Sequence, residues 1–366
     1  MIDRLRKDLI NLMRIPGLSG HEDRVRHAIA DLLMAEGVES RSDRMGNLIT
    51  TFEGEANGPS VMLFTHMDQL GFIVRKIEDN GLIRVERLGG VPERALASQA
   101  VTLCVGTGKD VDGVLYNKSH HATAPDEKYQ VLKAGDVLID TGHGSRDEVE
   151  AAGVRIGTPG VYRPNVLPLA ENRIAGTSVD DRAGCAVLLE VARRLKSREN
   201  GPTVHLVFSV QEEFNLRGAV VAAQSLKPDM AIQVDLMLAT DTPEMADRGD
   251  MLLGGGPGIS LYSFHGRGTL NGVIPHPSLV RLMEETAENE SIPLQRSAQV
   301  GVLTDLSYVQ LVGEGVASID VGFPMRYSHS SLEVCDLNDL EALSRLLIAA
   351  LQSIDAGFPL TRDGQA

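Results

Sequence analysis

Apolar residues at Ile2, Leu5, Leu9 and Leu12 recur at three- and four-residue intervals, a spacing that predicts a helix broken at Pro16-Gly17-Leu18-Ser19-Gly20. A second predicted helix starts near His21. Its apolar face is Val25, Ile29, Leu32 and Leu33, and Gly37 closes it where a left-handed cap is wanted. Residues 47–52 and 61–65 then read as strands. From about Gly71 to Pro164 the pattern shortens into alternating runs at 72–77, 82–88, 100–105, 111–116 and 137–140, separated by turn clusters such as Asp79-Asn80-Gly81 and Gly89-Gly90. This predicts a small all-β unit. A helix at 145–152 closes it, with Ser145 and Glu148 in capping-box register. After Pro164 helix and strand alternate again: 204–210, 230–234 and 316–321 are nearly continuous apolar runs, as expected for strands covered on both faces. Helices are predicted at 185–196, at 279–289 and from Asn338, with Glu341 completing its capping box. Residues 361–366 read as a frayed end. The whole is an α/β chain with a largely parallel sheet flanked by helices, residues 1–70 and 165–366 forming one domain and residues 71–164 a β insert.

The 50 acidic residues outnumber the 35 Lys and Arg, leaving a formal net charge of −15 with His neutral. That balance argues against nucleic-acid or anionic-membrane partners, which need basic patches. No signal-peptide apolar core opens the chain and no run of about 18 apolar residues occurs, so a soluble, cytoplasmic protein is expected. Cys104, Cys185 and Cys335 are scattered without metal-site or disulfide spacing and read as buried thiols.

The candidate chemistry lies at the ends of predicted strands. Asp180 and Asp181 sit side by side at the start of the 185–196 helix. Two neighbouring acids repel and lose hydration on burial, which costs several kcal/mol unless a cation lies opposite. They can also be read simply as helix-capping acids. His66 and Asp68, two apart at a strand end, face the same side, a suitable spacing for a metal ligand and the acid that orients it. Strand 204–210 runs into Glu212-Glu213, strand 230–234 is read as ending at Asp235, and the loop after 316–321 carries His329. An open α/β sheet gathers ligands at these carboxyl ends. His66, Asp180, Glu213, Asp235 and His329 supply two imidazoles and three carboxylates, enough for two divalent metals roughly 3.5 to 4 Å apart sharing a polarised water, and Glu212 is left over to take its proton. No Gly-x-Ser-x-Gly elbow or phosphate-binding loop competes with this set.

Thr65-His66-Met67-Asp68, Val179-Asp180-Asp181-Arg182-Ala183-Gly184, Gln211-Glu212-Glu213, Leu216-Arg217-Gly218-Ala219, Val234-Asp235 and Arg326-Tyr327-Ser328-His329-Ser330 with Glu333 resemble, in order and over nearly the whole chain, the signatures of the TET-type, glutamyl-aminopeptidase-like metallopeptidases. Some relatives were once labelled endoglucanases. The resemblance implies a zinc-exopeptidase-like catalytic domain with a PDZ-like β-barrel insert. It implies that His66 and Asp235 hold one metal, Glu213 and His329 the other, and that Asp180 bridges them, the peptide bond from Asp180 to Asp181 being cis. Asp68 would orient His66 and Glu212 would be the general base. Two zinc ions, or cobalt or manganese, would serve removal of N-terminal residues from short peptides. The insert would build dimers, with six dimers able to close into a dodecamer. A metal-dependent deacylase or glycosidase on the same fold, or a silent scaffold, are the rival readings. Gln69 stands where many relatives have Glu, and Phe214-Asn215 where they have Val-Gly; both are expected to bear on the substrate pocket.

Overall fold

The structure is a computed structural model describing residues 1–198, 200–266 and 270–363; the expected frayed end lies partly outside the described residues, at 364–366. Its centre is a nine-stranded mixed sheet in the order Arg41–Ser42, Leu48–Phe52, Thr203–Ser209, Ser60–His66, Met230–Leu238, Ala317–Met325, Gly258–Phe264 and Gly272–Val273, with Gln295–Val300 also paired to Gly258–Phe264. The four strands from Thr203–Ser209 to Ala317–Met325 run parallel, as their unbroken apolar character predicts. Antiparallel neighbours flank them on both sides.

One face of the sheet, through Val61, Leu63, Ile232 and Ile319, packs into a single core with Leu5, Leu9, Val187, Val191, Leu343 and Leu347. The other face, through Met62, Phe64 and Val207, meets Gly218–Leu226 and Leu306–Val309. Val179–Leu195 is buried on nearly every side, because it lies between the sheet and the helices Ile2–Met13 and Leu337–Gln352. Each fully buried Leu or Val there stabilises the fold by about 1.5–3 kcal/mol. Buried Glu190 on this helix is held by Arg4 and Arg193.

Gly71–Ile77, Ile83–Leu88, Leu138–Asp140, Val111–Leu115, Ala100–Leu103 and Pro159–Tyr162 close into a barrel around its own core of Phe72, Val74, Val85, Leu103, Ile139 and Tyr162. Pro159–Tyr162 is absent from the apolar pattern, yet it pairs with both Gly71–Ile77 and Ala100–Leu103 and so removes the open edges. Ser145 caps Arg146–Ala151 by accepting from the Glu148 amide at 3.3 Å. The cap of the last helix is corrected: it is Asp336, whose carboxylate accepts from the Asn338 amide at 2.9 Å, rather than Asn338. The strand Glu333–Asp336 runs straight into the helix and leaves Asp336 as the last extended residue. That strand completes a three-stranded sheet with Val166–Pro168 and Arg173–Gly176, setting Glu333 opposite Gly176. Among the described residues, no helix is long and apolar enough to cross a membrane.

Candidate active site

Sheet register brings the first residues together. Phe64 pairs with Gln233, so two steps further His66 and Asp235 lie level on the same face. Ser209 pairs with His66, and its strand passes directly into Gln211, Glu212 and Glu213. Asp235 does not end its strand as expected. Met230–Leu238 continues in register with Ala317–Met325, and it outruns Ser60–His66, so the carboxylate opens onto the rim of the sheet. Asp180 comes from the start of Val179–Leu195, and His329 from the loop after Ala317–Met325.

Asp180 is the meeting point. Its Oδ1 lies 3.0 Å from His66 Nε2 and its Oδ2 lies 3.4 Å from His329 Nε2, which is itself 3.6 Å from Glu213 Oε1. The side chains form two triads, His66–Asp180–Asp235 and Asp180–Glu213–His329, the ligand atoms within each lying inside 4.8 Å of one another. Glu212 lines the same cleft, about 480 Å³ in volume, and belongs to neither triad. The Asp180–Asp181 bond is cis. Asp181 turns away, accepting from the Gly184 amide at 3.0 Å and from the Thr65 hydroxyl.

A surrounding layer holds these groups. His66 Nδ1 is 3.1 Å from the Asp68 carbonyl oxygen and 3.5 Å from its carboxylate, which turns Nε2 toward Asp180. The Asp68 carboxylate also accepts from the amides of Glu212 and Glu213, each at 3.0 Å, and from the Ser19 hydroxyl. One acid thus positions both the imidazole and the paired glutamates. Glu333 accepts from the Asp180 amide at 3.1 Å and the His329 amide at 2.7 Å. The sequence placed Glu333 beside His329 with no role; the strand pairing to Gly176 is what brings it under Asp180. Six of the ten non-glycine residues with positive φ among the described residues, Ser178, Gln211, Asn215, Leu216, Tyr327 and His329, lie in the loops around this site, where such conformations tend to gather.

Gly90, read in the sequence only as part of a turn, reaches the site from the barrel. Its carbonyl accepts from His329 Nδ1 at 3.1 Å, and a methyl carbon placed on it would lie 2.7 Å from that nitrogen. Gly90→Ala is expected to displace His329 and weaken binding at its triad by about 10- to 100-fold, as other losses of ligand-orienting contacts do. Metal titration with circular dichroism as the folding control checks this; unchanged affinity would refute a positioning role.

The electrostatics fit a cation. Burial pushes the Glu213 carboxyl up to about 7, and burial together with neighbouring acids holds Glu212 and Asp235 well above the usual carboxylate range. Burial works against a charged His66 and His329 too, but the adjacent carboxylates outweigh it and hold both well above the usual histidine range. Imidazole and carboxylate donors crowded this way suit borderline divalent metals, whose charge would relieve the repulsion.

The family pattern of the M42 glutamyl aminopeptidases matches the chain from residue 46 to residue 346. The chain belongs to this family. It is 32% identical to a lysyl aminopeptidase of Pyrococcus furiosus, over 94% of this chain and 95% of that one. Among solved structures it superposes on an aminopeptidase of the archaeon Desulfurococcus kamchatkensis with TM-score 0.90 at 32% identity, covering 98% and 97% of the two chains. It also superposes on the TET1 peptidase of Pyrococcus horikoshii, which assembles into a tetrahedron or a large octahedral shell, with TM-score 0.84 at 28% identity over 95% and 99%. The chain is therefore an aminopeptidase of a metallopeptidase family, a hydrolase acting on peptide bonds, and it carries candidate metal-binding residues.

The two departures from the relatives sit differently in the structure. Gln69 does not line the cleft: its amide oxygen accepts from the Gly17 amide and from the buried Arg182 guanidinium, each at 3.2 Å. Phe214 is about half exposed with Arg217 over its ring, and only Asn215 of that pair faces the cleft.

Proposed function

We propose that the chain is a two-metal aminopeptidase acting on short peptides, and the observation that carries this reading is the single carboxylate of Asp180 shared between two histidine–acid triads. His66, Asp180 and Asp235 would hold one divalent ion and Asp180, Glu213 and His329 the other, zinc being the first choice and cobalt or manganese the alternatives for such donors. Two ions bound there would polarise the scissile carbonyl and the attacking water. Glu212 stands in the cleft outside both triads and takes the proton from that water, then hands it to the departing amine. Asp68 keeps His66, Glu212 and Glu213 in register through these steps.

The crowded acids favour a cation, so the substrate's free α-ammonium is the natural anchor. Amides of free amino acids are expected to be cleaved about 10- to 100-fold faster than their N-acetyl counterparts, the scale of a lost charged contact. Chromogenic aminoacyl amides, free and acetylated, measure this with and without added metal. Faster turnover of the acetylated set would make the enzyme a deacylase.

Assembly is proposed on the same footing. TET relatives form closed shells, and the barrel offers this chain a surface separate from its sheet core. A homo-oligomer built on dimers, up to a dodecamer, is expected, and light scattering of the intact chain tests it; a monomer with full activity would end the proposal. Excising the barrel would also remove Gly90 from His329, so activity after deletion is no measure of assembly.

A further inference from the structure

Behind Asp235 the sheet carries a small recess of about 20 Å³, room for one particle the size of a water molecule. Its polar walls come from three neighbouring strands. Ile259 pairs with Val321, so Ser260 and Asp320, the next residues along, fall level on Gly258–Phe264 and Ala317–Met325. Ser260 and Ser263 pair in turn with Ser297 and Gln299, two residues apart on Gln295–Val300 and therefore on one face. Asp320, Ser263 and Gln299 are buried, with exposures of 4%, 4% and 6%, and each presents an oxygen with no partner: Asp320 Oδ2, Ser263 Oγ and Gln299 Oε1. Asp320 spends its other oxygen on the Thr304 hydroxyl at 2.9 Å. Among the described residues, no Lys, Arg or His lines the recess.

Buried polar atoms are nearly always paired, and a buried carboxylate needs a positive charge opposite it. Water meets the first demand but not the second. The three oxygens do not bond one another, which leaves each with a lone pair for a common partner. One carboxylate among neutral oxygens balances a single positive charge. Divalent ions suit the recess less well: calcium takes about six to eight oxygens, and magnesium keeps several waters for which about 20 Å³ leaves no room.

We propose that this recess binds one dehydrated monovalent metal cation, sodium or potassium, through Asp320 Oδ2, Gln299 Oε1 and Ser263 Oγ. The Ser260 and Ser297 side chains line the same recess and offer further oxygens. Asp320 belongs to neither triad, and the inference holds whatever bond the enzyme cleaves. Asp320 pairs in the ladder with Gln233, whose side-chain amide donates to Asp235 at 3.0 Å, so the ion would brace the rim of the sheet one strand away from that acid. Burial pushes the Asp320 carboxyl up to about 7, and a cation against its second oxygen would draw it back toward ionisation.

The test is thermal unfolding of the metal-loaded enzyme in sodium, potassium and choline chlorides at one ionic strength, choline being too large for the recess. Sodium or potassium is expected to raise Tm by about 2–4 °C over choline, with a saturating dependence on concentration. Asp320→Asn removes the charge at constant size and should raise the half-saturating concentration at least about tenfold, the scale of one lost charged contact. Gln299→Leu should raise it by a smaller factor, and it serves if Asp320→Asn fails to fold. Equal Tm in all three salts, or a shift that persists unchanged in whichever variant folds, would overturn the proposal. Crystals grown in the stabilising salt give a second readout. An ion ligated by Asp320, Gln299 and Ser263 supports the site, and a buried water only would refute it.

Discussion

Glu212→Gln is expected to keep both metal ions and lose about 10²- to 10⁴-fold in kcat, the usual range for removing a general base. The substitution preserves size. It leaves the two triads untouched, since Glu212 belongs to neither, and it preserves the backbone amide that Glu212 donates to Asp68. What disappears is the acceptor for the water's proton. Burial holds the Glu212 carboxyl well above the usual range, which makes it a stronger base than an exposed glutamate. Metal analysis beside steady-state kinetics separates the outcomes. Lost metal with activity proportional to occupancy would mean that Glu212 and Glu213 have exchanged roles.

The larger effect belongs to Asp180. Chelation is expected to abolish activity, and Asp180→Asn to abolish it as well by losing both ions. Asp235→Asn and Glu213→Gln should each lose one. The difference follows from geometry: the two oxygens of Asp180 face different histidines, at 3.0 and 3.4 Å, whereas Asp235 and Glu213 each belong to one triad. An asparagine keeps one oxygen and turns a non-coordinating amide toward the other side. Elemental analysis of the variants counts the ions, and thermal unfolding gives a second readout. A site filled at a thousand times its Kd stabilises the native state by about 4 kcal/mol, so stripping the metals should lower Tm by several degrees or more. An Asp180→Asn protein that kept two ions would refute the shared-carboxylate arrangement.

These two experiments address roles, whereas Gly90→Ala addresses support. The contact from Gly90 makes the barrel a structural part of the site although it offers no ligand. A change in how the barrel docks, whether by mutation or by assembly, would therefore be felt at His329. Gln69 illustrates the opposite case. It follows His66 by three residues along the chain yet does not line the cleft, and its work is to satisfy the buried Arg182 that ties Ile15 and Met67 together.

Local pattern was enough for much of the chain. The helices Ile2–Met13 and Pro277–Asn289 and the parallel strands are legible because periodicity and apolar runs are properties of neighbouring residues. The types of the site residues were legible too, since His and paired acids at strand ends are costly without a cation. The rest was decided by contacts across long stretches of chain. Pro159–Tyr162 looks like a turn until two strands flank it, because Pro and Gly carry little strand preference of their own. Asp235 sits within a strand because Ala317–Met325 extends its ladder to Leu238, a fact about the partner rather than about residues 230–238. The sequence shows Asp180 beside Asp181 and the resemblance favours the first as the bridge; their surroundings, His66 and His329 for one and Thr65 with Gly184 for the other, set the proposed shared ligand apart from its neighbour. Gly90 is an ordinary turn glycine in the sequence. It matters because a barrel turn docks on His329, and such docking is set by domain packing, which no local pattern encodes.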